Sequence, residues 1–305
     1  MNILGSISSF IQVVETGSIV AAGRALGISA AAVSQHLARL EAHLQTRLLS
    51  RTTRSMALTE SGALYYAKVR HVQRDLELAH QAVANAGEPQ GRLCVATTAA
   101  FGRHVLAPLI PGFQARYPRL SIEIISTDRR VNHLQEVIDV SIRIKPQLEE
   151  RLVARLIAQV PFIFCASSAY LQRAGWPQAP EDLKHHACLV FRYPVDGRFL
   201  RWGFVRDGER FDAPFNATMI SDDIDLLAQL AVHGGGITRL ADFIAQPFLD
   251  SGQLVPLFDA AQRSSAYAEP EPMEVYACVT DQSALTTKIR AFIDYLQACL
   301  GDTPG

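Results

Sequence analysis

Residues 18–44 read SIVAAGRALGISAAAVSQHLARLEAHL, and the organisation of the first part of the chain turns on them. Ser18 is a natural helix cap before an alanine-rich segment ending at Leu26, where Ala21, Ala22 and Ala25 leave room for two helices to cross closely. Gly27 supplies a tight turn, Ile28 is expected to pack inward, and Ser29 caps a second segment from about Ala30 to Leu44. That segment carries an apolar stripe of Val33, Leu37, Leu40 and Leu44. Its opposite face holds Ala30, Ala31, Ser34, Gln35, Ala38 and Arg39. Two short helices joined through glycine, the second capped by serine and short-polar outside, form the pattern of a helix-turn-helix. Such a helix must enter a DNA major groove only about 12 Å wide, so small leading side chains suit it. Ser34 and Gln35 can hydrogen-bond base edges, and the methyls of Ala30 and Ala31 can meet thymine methyls. Alanine-rich helix pairs also occur in ordinary bundles, so the flanking segments decide.

Before this stretch, Leu4, Ile7, Ile11 and Val14 recur at helical spacing with Phe10 beside them, and Gly17 ends that helix. After it, Arg51, Thr53 and Arg54 lie in a segment that reads as a short hairpin or wing, from Leu48-Leu49 to Leu58-Thr59. Arginines with interleaved hydroxyls suit phosphate contacts, which position a protein without specifying sequence. Thr59 caps a further helix, with Glu60 at its positive end. Leu64, Val72, Leu76, Ala79 and Val83 extend that helix to about Asn85, a length suited to a linker or dimerisation helix. Gly87-Glu88-Pro89-Gln90-Gly91 marks a boundary. Wing, long helix and boundary follow the helix pair in the order a DNA reader needs. The domains expected are therefore 1–60, 61–91 and 92–300.

The chain has 305 residues, 49% hydrophobic and 19% charged, which is enough for about two packed domains. Its formal net charge of −1 argues against coating nucleic acid by bulk charge, but residues 1–91 alone sum to +2. Five scattered cysteines without a CxxC pair suit a reducing compartment as small buried hydrophobes. No apolar run approaches a membrane span and no leader pattern opens the chain, so no membrane partner and a cytoplasmic location are expected.

From Arg92 the periodicity changes. Leu93–Thr97, Leu120–Ile124, Val140–Ile144, Pro161–Ala166 and Val275–Val279 read as strands. Helices are expected over Val105–Tyr117, Val131–Val137, Ser221–His233 and Ser283–Leu300. This alternation indicates an α/β domain. The turn 97–101 leads into a helix, so free backbone N–H groups and the Thr98 hydroxyl can hold a carboxylate. Arg143 and Lys145 share a strand face. Thr238 and Arg239 follow Gly234-Gly235-Gly236, which permits close backbone approach. Each has a structural alternative: Thr98 a cap, Arg143 an ion pair, the glycines a turn.

At this point the sequence resembles the LysR-type transcriptional regulators. The matching residues run Phe10 to Ser18, Ala21-Ala22, Leu26 to Ser29, Ala32 to Ser34, Leu40-Glu41, Leu48-Leu49, Arg51 to Arg54 and Leu58 to Gly62. Beyond them, Leu106 to Leu109, Phe113 to Pro118, Asp139 to Arg143, Cys165 to Leu171, Gly234 to Ile237 and Arg290 to Leu296 look like family landmarks. The resemblance implies an N-terminal all-α winged helix-turn-helix, a long linker helix, and a C-terminal α/β effector domain of two subdomains like a periplasmic binding protein. Subdomain I would span about 92–165 and 268–300, and subdomain II about 166–267. It implies homodimers commonly assembled as tetramers, a small-molecule effector of unknown identity and no other cofactor, with RNA polymerase contact one possible output. By position, Ala30, Ala31, Ser34, Gln35 and Arg39 would face the groove, and Arg51, Thr53 and Arg54 would be wing contacts. Thr98, Ala99, Phe101, Phe164, Ser221 and Thr238 would approach the effector cleft. Val137 and Lys145 stand where glycine is common in the family, and Arg239 where an aliphatic residue is usual. Lys145 and Arg239, two added cations, motivate the expectation of a small organic anion.

Two other functional classes fit the sequence less well. An enzyme lacks support: there is no GxSxG, HExxH, P-loop or paired-cysteine metal site, and His185-His186 has no neighbouring ligand at useful spacing. A free ligand-binding protein would explain residues 92–300 but leave the first sixty without a role.

Overall fold

The computed structural model describes residues 2–51, 56–70, 88–258, 268–281 and 284–301. The chain divides into two compact units, Met1–Gly87 with Asn132–Val137, and Glu88–Val131 with Ile138–Gly305. The change of unit falls inside the glycine- and proline-bearing boundary read from the sequence.

In the first unit, α1 (Ile3–Thr16), α2 (Ile19–Leu26) and α3 (Ala30–Leu44) pack around Phe10, Ile11, Val13, Val33, Leu37 and Leu40. Gly17 and Gly27 end their helices in the left-handed region at φ 65° and 66°, where a Cβ is costly. Ser18 and Ser29 cap as expected, their hydroxyls accepting from the Ala21 and Ala32 amides at 3.4 and 3.1 Å. The close helix crossing belongs to Ala22 and Gly23: a Cβ on Gly23 would stand 2.8 Å from the Ile28 carbonyl. Ala25 is exposed. Ile28 is also exposed rather than inward, because the turn that brings its carbonyl to Gly23 directs its side chain away. Leu4 is exposed too, since the buried face of α1 is centred on Phe10 and Val13.

The wing is a two-stranded antiparallel hairpin, β1 (Leu49–Arg51) and β2 (Met56–Leu58), in the register Leu49↔Leu58. The first unit is thus helical with a β wing, and not purely α. A helix, α4, occupies residues 60–70. Thr59 caps it, accepting from the Gly62 amide at 2.9 Å. Leu64, expected on its stripe, is 68% exposed, and Val69 with Tyr65 and Tyr66 faces the core instead. The rest of the expected long helix, 71–85, lies outside the described residues.

The second unit has two lobes. Lobe one holds β3 (Gly91–Thr97), β4 (Leu120–Ser126), β5 (Val140–Ile144), β6 (Val153–Val160) and β15 (Met273–Val279), in the order β4-β3-β5-β15-β6. β3 runs parallel to β4 and β5, and β15 is antiparallel to both its neighbours. Helices cover the sheet, and Phe113, Phe292 and Tyr295 meet ring to ring beneath them. The expected helix at 105–117 begins earlier. α5 (Ala99–Phe101) passes through a π-helical turn (Gly102–Leu106) into α6 (Ala107–Arg116). Gly102 is helical, not a breaker; a Cβ there would meet Thr97 and Ser126 at under 3 Å. Pro108 and Pro111 give no N–H to the preceding turn, which suits widening of the helix there. Residues 131–137 form turns and not a helix, with Val137 at φ 53°.

Lobe two holds β7 (Phe162–Ala166), β8 (Ala187–Phe191), β11 (Asn216–Ser221), β12 (Ile237–Ala241) and β13 (Val255–Leu257), in the order β11-β8-β12-β7-β13. α7 (Ser168–Ala174), α8 (Ile224–Val232) and α9 (Asp242–Asp250) belong to this lobe. A small antiparallel sheet adds β9 (Gly203–Arg206), β10 (Glu209–Asp212) and β14 (Glu269–Pro270). The expected lobe boundaries, 165/166 and 267/268, need correction. β7 pairs with β12 and β13, so the outward crossing is at Pro161. β14 pairs with β9, so the return crossing is at Glu271–Pro272. The C-terminal helix α10 (Thr287–Gly301) returns to lobe one, burying Ile289, Phe292, Ile293 and Leu296 as its periodicity predicts.

Candidate functional site

On the first unit, the face of α3 opposite the core carries the expected DNA-reading residues. Ala31, Gln35 and Arg39 are exposed, and Ala30 and Ser34 are half-buried. The helix is held from below by Ser9, whose hydroxyl meets His36 Nδ1 at 2.7 Å. Its far end is tied to the wing by Glu41, whose Oε1 accepts from the Leu48 and Leu49 amides at 2.8 and 3.1 Å. Thr59 donates to the Arg47 carbonyl at 2.7 Å while capping α4. Gly62 is fixed by close approach, since any Cβ there would collide with the Leu48 carbonyl. Arg51 is placed by its backbone in β1; Thr53 and Arg54 lie outside the described residues. Glu41 carried no role in the sequence reading. Its signal is an acid at the end of an apolar stripe, seven residues before a buried Leu-Leu pair.

On the second unit, a cavity of about 70 Å3 opens between the lobes, lined mainly by apolar side chains including Phe101, Phe162, Phe191 and Phe243. Phe101 and Phe243 meet edge to face at 6.0 Å across the lobes. Thr98 lines the cavity at the start of α5, and its side chain makes no cap hydrogen bond. Arg143 is 5% exposed and lines the same cavity. Its Nη1 donates to the Thr127 carbonyl at 2.9 Å, and its Nη2 has no partner among the described residues. Burial lowers its pKa, and Asp128 nearby acts in the opposite direction. Two more polar atoms on the wall are also buried without a partner among the described residues, the Tyr193 hydroxyl and Gln147 Oε1. Burial pushes the Tyr193 hydroxyl well above its usual pKa.

Asp128 lines this cavity and also an adjoining vestibule of about 350 Å3. Its pKa is raised, first by burial and then by Asp223 and Asp222, against the pull of the Ala99 backbone hydrogen bond and Arg143. Asp128 thus brings a carboxylate to the wall beside Ala99, where backbone amides were expected to be open to a ligand. Ala99 lines only the vestibule.

Several expected cleft residues sit elsewhere. Phe164 is buried in the aromatic centre of lobe two, stacked on Phe204 at 4.6 Å and edge-on to Trp202 at 5.2 Å. Thr238 is fully buried and donates to the Leu189 carbonyl at 3.3 Å. Ser221 ends β11 and accepts from the Asp223 amide at 3.0 Å, a turn-forming role. Lys145 is paired with Glu274 at 2.8 Å on an exposed surface. Arg239 lies over the Phe162 ring at 3.8 Å, with its Nη1 and Nη2 donating to the Arg201 and Glu271 carbonyls and its Nε buried without a partner among the described residues. Burial lowers its pKa to about 10. Both of these cations face a second cavity of about 260 Å3 rather than the aromatic one. Asp128, Tyr193, Gln147 and Phe243 were not anticipated. They come from loops, from the short 3-10 turn Lys145–Gln147 and from the start of α9, where no periodic signal points at a cleft.

A winged helix-turn-helix together with a bilobed α/β unit holding an interlobe cavity defines a DNA-binding regulator with a ligand-sensing module. Residues 4–63 match the bacterial regulatory helix-turn-helix of the lysR family, and residues 86–300 match the LysR substrate binding domain. The chain belongs to the LysR family of transcriptional regulators. The HTH-type transcriptional regulator CrgA of Neisseria meningitidis is 31% identical over 297 residues, covering 97% of this chain and 96% of that one. The CrgA structure superposes with a TM-score of 0.57 at 29% identity, covering 98% and 99%. The full-length Vibrio cholerae virulence activator AphB gives 0.56 at 25% identity, covering 97% and 98%. The protein is thus a DNA-binding transcriptional regulator whose second unit is an effector-binding domain.

Proposed function

We propose that α3 reads the operator in the major groove through Gln35 and Ser34, with the methyls of Ala30 and Ala31 and the Arg39 side chain also facing the groove, while Arg51, Thr53 and Arg54 of the wing grip phosphates. The protein works as a homodimer, assembled further into a tetramer, in the cytoplasm and without catalytic activity or a further cofactor. A small molecule in the interlobe cavity sets the state of the assembly, and through it DNA bending or RNA polymerase contact. Full-length relatives that carry both units support this reading. The observation that carries the DNA reading is the exposure of Ala31, Gln35 and Arg39 together on a capped α3 that is braced by His36 and Glu41.

Gel-shift titrations at several salt concentrations test it. Gln35→Ala should reduce preference for the operator more than non-specific binding. Arg51→Ala should weaken both and lower the salt slope by about one. The reverse pattern would refute the roles.

The effector is recognised through an acceptor group that meets Arg143. Lys145 and Arg239, which suggested an anion, are engaged by Glu274 and by backbone carbonyls, so that expectation now rests on Arg143 alone.

A further inference from the structure

The polar groups around the aromatic cavity are of both signs. Arg143 of lobe one presents an unpartnered Nη2, and the Tyr193 hydroxyl of lobe two, which lines the same cavity, is also unpartnered among the described residues. Asp128 stands on the wall shared with the vestibule, where Asp222, Asp223 and Asp225 add further carboxylates. Of the vestibule's two arginines, Arg103 is paired with Asp225 and Arg129 donates to the Arg130 carbonyl at 3.0 Å. Asp128 and Arg143 act on each other through space and make no ion-pair contact. One cationic donor and one anionic acceptor thus face a mostly apolar chamber.

A net anion placed on Arg143 would lie beside Asp128 and its acidic neighbours, whose negative charge opposes it. A net cation would leave the buried Arg143 without a counter-charge, a costly arrangement. A ligand carrying both charges satisfies both walls. The chamber of about 70 Å3 has room for roughly five to seven waters at ~10–15 Å3 each, the scale of an amino-acid side chain.

Resting on the cleft as the effector site, we propose that its ligand is a zwitterion: an α-amino acid with an apolar side chain. The carboxylate meets Arg143 and the Tyr193 hydroxyl, the ammonium meets Asp128, and the side chain fills the aromatic chamber.

Calorimetric titration of the full chain with L-valine, L-leucine, L-methionine and L-phenylalanine tests this. At least one should bind. Its deamino carboxylic acid and its decarboxylated amine should each bind at least tenfold more weakly. Asp128→Asn should narrow the gap between amino acid and deamino acid to under threefold. Arg143→Gln should abolish both, and Tyr193→Phe, a milder change, should weaken both together. The proposal is overturned if none of the four binds, or if the deamino acid binds as tightly as the amino acid. In the latter case, loss of that binding in Tyr193→Phe would leave the cleft as the effector site and remove only the zwitterion. Binding insensitive to both Arg143→Gln and Tyr193→Phe would remove the cleft assignment as well.

Discussion

Lys288 and Asp139 form a buried ion pair, Nζ to Oδ2 at 3.1 Å, with less than a tenth of either side chain exposed. Asp139 Oδ2 also accepts from the Cys94 amide at 2.8 Å, and Lys288 donates to the Arg92 carbonyl. One lysine on α10 thereby fastens the C-terminal helix to β3 and to the start of β5. Removing a single partner strands the other charge in the interior. Lys288→Met should cost about 3–5 kcal/mol of unfolding free energy. Asp139→Asn, which keeps an acceptor for Cys94, should cost less. Denaturant titration of the two variants checks both the size and the order.

Val137 is a β-branched residue in the left-handed region at φ 53°, where such a side chain is a conformational outlier. The left-handed region costs an ordinary residue about 1–2 kcal/mol, part of which glycine returns through its freer unfolded chain. Val137→Gly should stabilise the protein by about 0.5–1 kcal/mol. A lower melting temperature for this variant would show that its half-buried side chain outweighs the backbone.

Glu41 joins the recognition helix to the wing through two charge-assisted hydrogen bonds. Glu41→Ala should destabilise the first unit by about 1.5–3 kcal/mol and weaken DNA binding at any sequence. Glu41→Gln retains an amide oxygen and should recover most of the loss. Calorimetric unfolding beside gel-shift assays separates the two effects.

Asp128 offers a pH test. Its folded pKa lies above the unfolded value of about 3.8, because burial and the neighbouring Asp223 and Asp222 disfavour its charge. The folded state therefore binds the proton more tightly, and stability falls as pH rises through the interval above 3.8. Asp128→Asn should be more stable than the parent at pH 7, with the advantage vanishing below about pH 3.8. A variant that is less stable at pH 7 would contradict the assigned direction.

The helix pair, its caps and the limits of α3 were legible because serine, glycine and the 3.6-residue stripe all act locally. The strand cores were legible as apolar runs, and the buried face of α10 as a stripe. Pairing partners were not. Nothing local distinguishes Phe162–Ala166 as a strand of the far lobe, so the crossing was placed four residues late. Residues 131–137 carry a helical apolar pattern, yet they form turns, with Val137 left-handed. Thr98 and Phe101, implied by family position, and Arg143, read from strand alternation, line the cavity, whereas Phe164 and Thr238 do not. Whether a strand residue faces the cavity or the aromatic centre of its lobe depends on sheet curvature, which two-residue alternation does not encode. Arg239 reads in the sequence as a ligand-facing cation, because an extra charge does not reveal which backbone carbonyls will claim it.

The two passages between the lobes, Pro161 and Glu271–Pro272, are one and two residues long and run directly from strand to strand. Such passages have no slack. Any turn of one lobe against the other is carried as torsion in the strands and cannot be taken up by a loop. Both β3, where the unit begins, and α10, where it ends, belong to lobe one, so these two straps are the only covalent links to lobe two, beside side-chain contacts such as Phe101 with Phe243 and Arg103 and His104 with Asp225. It is the natural moving part: a rigid vane whose angle a molecule of a few heavy atoms can set, because few internal freedoms exist to dissipate the change.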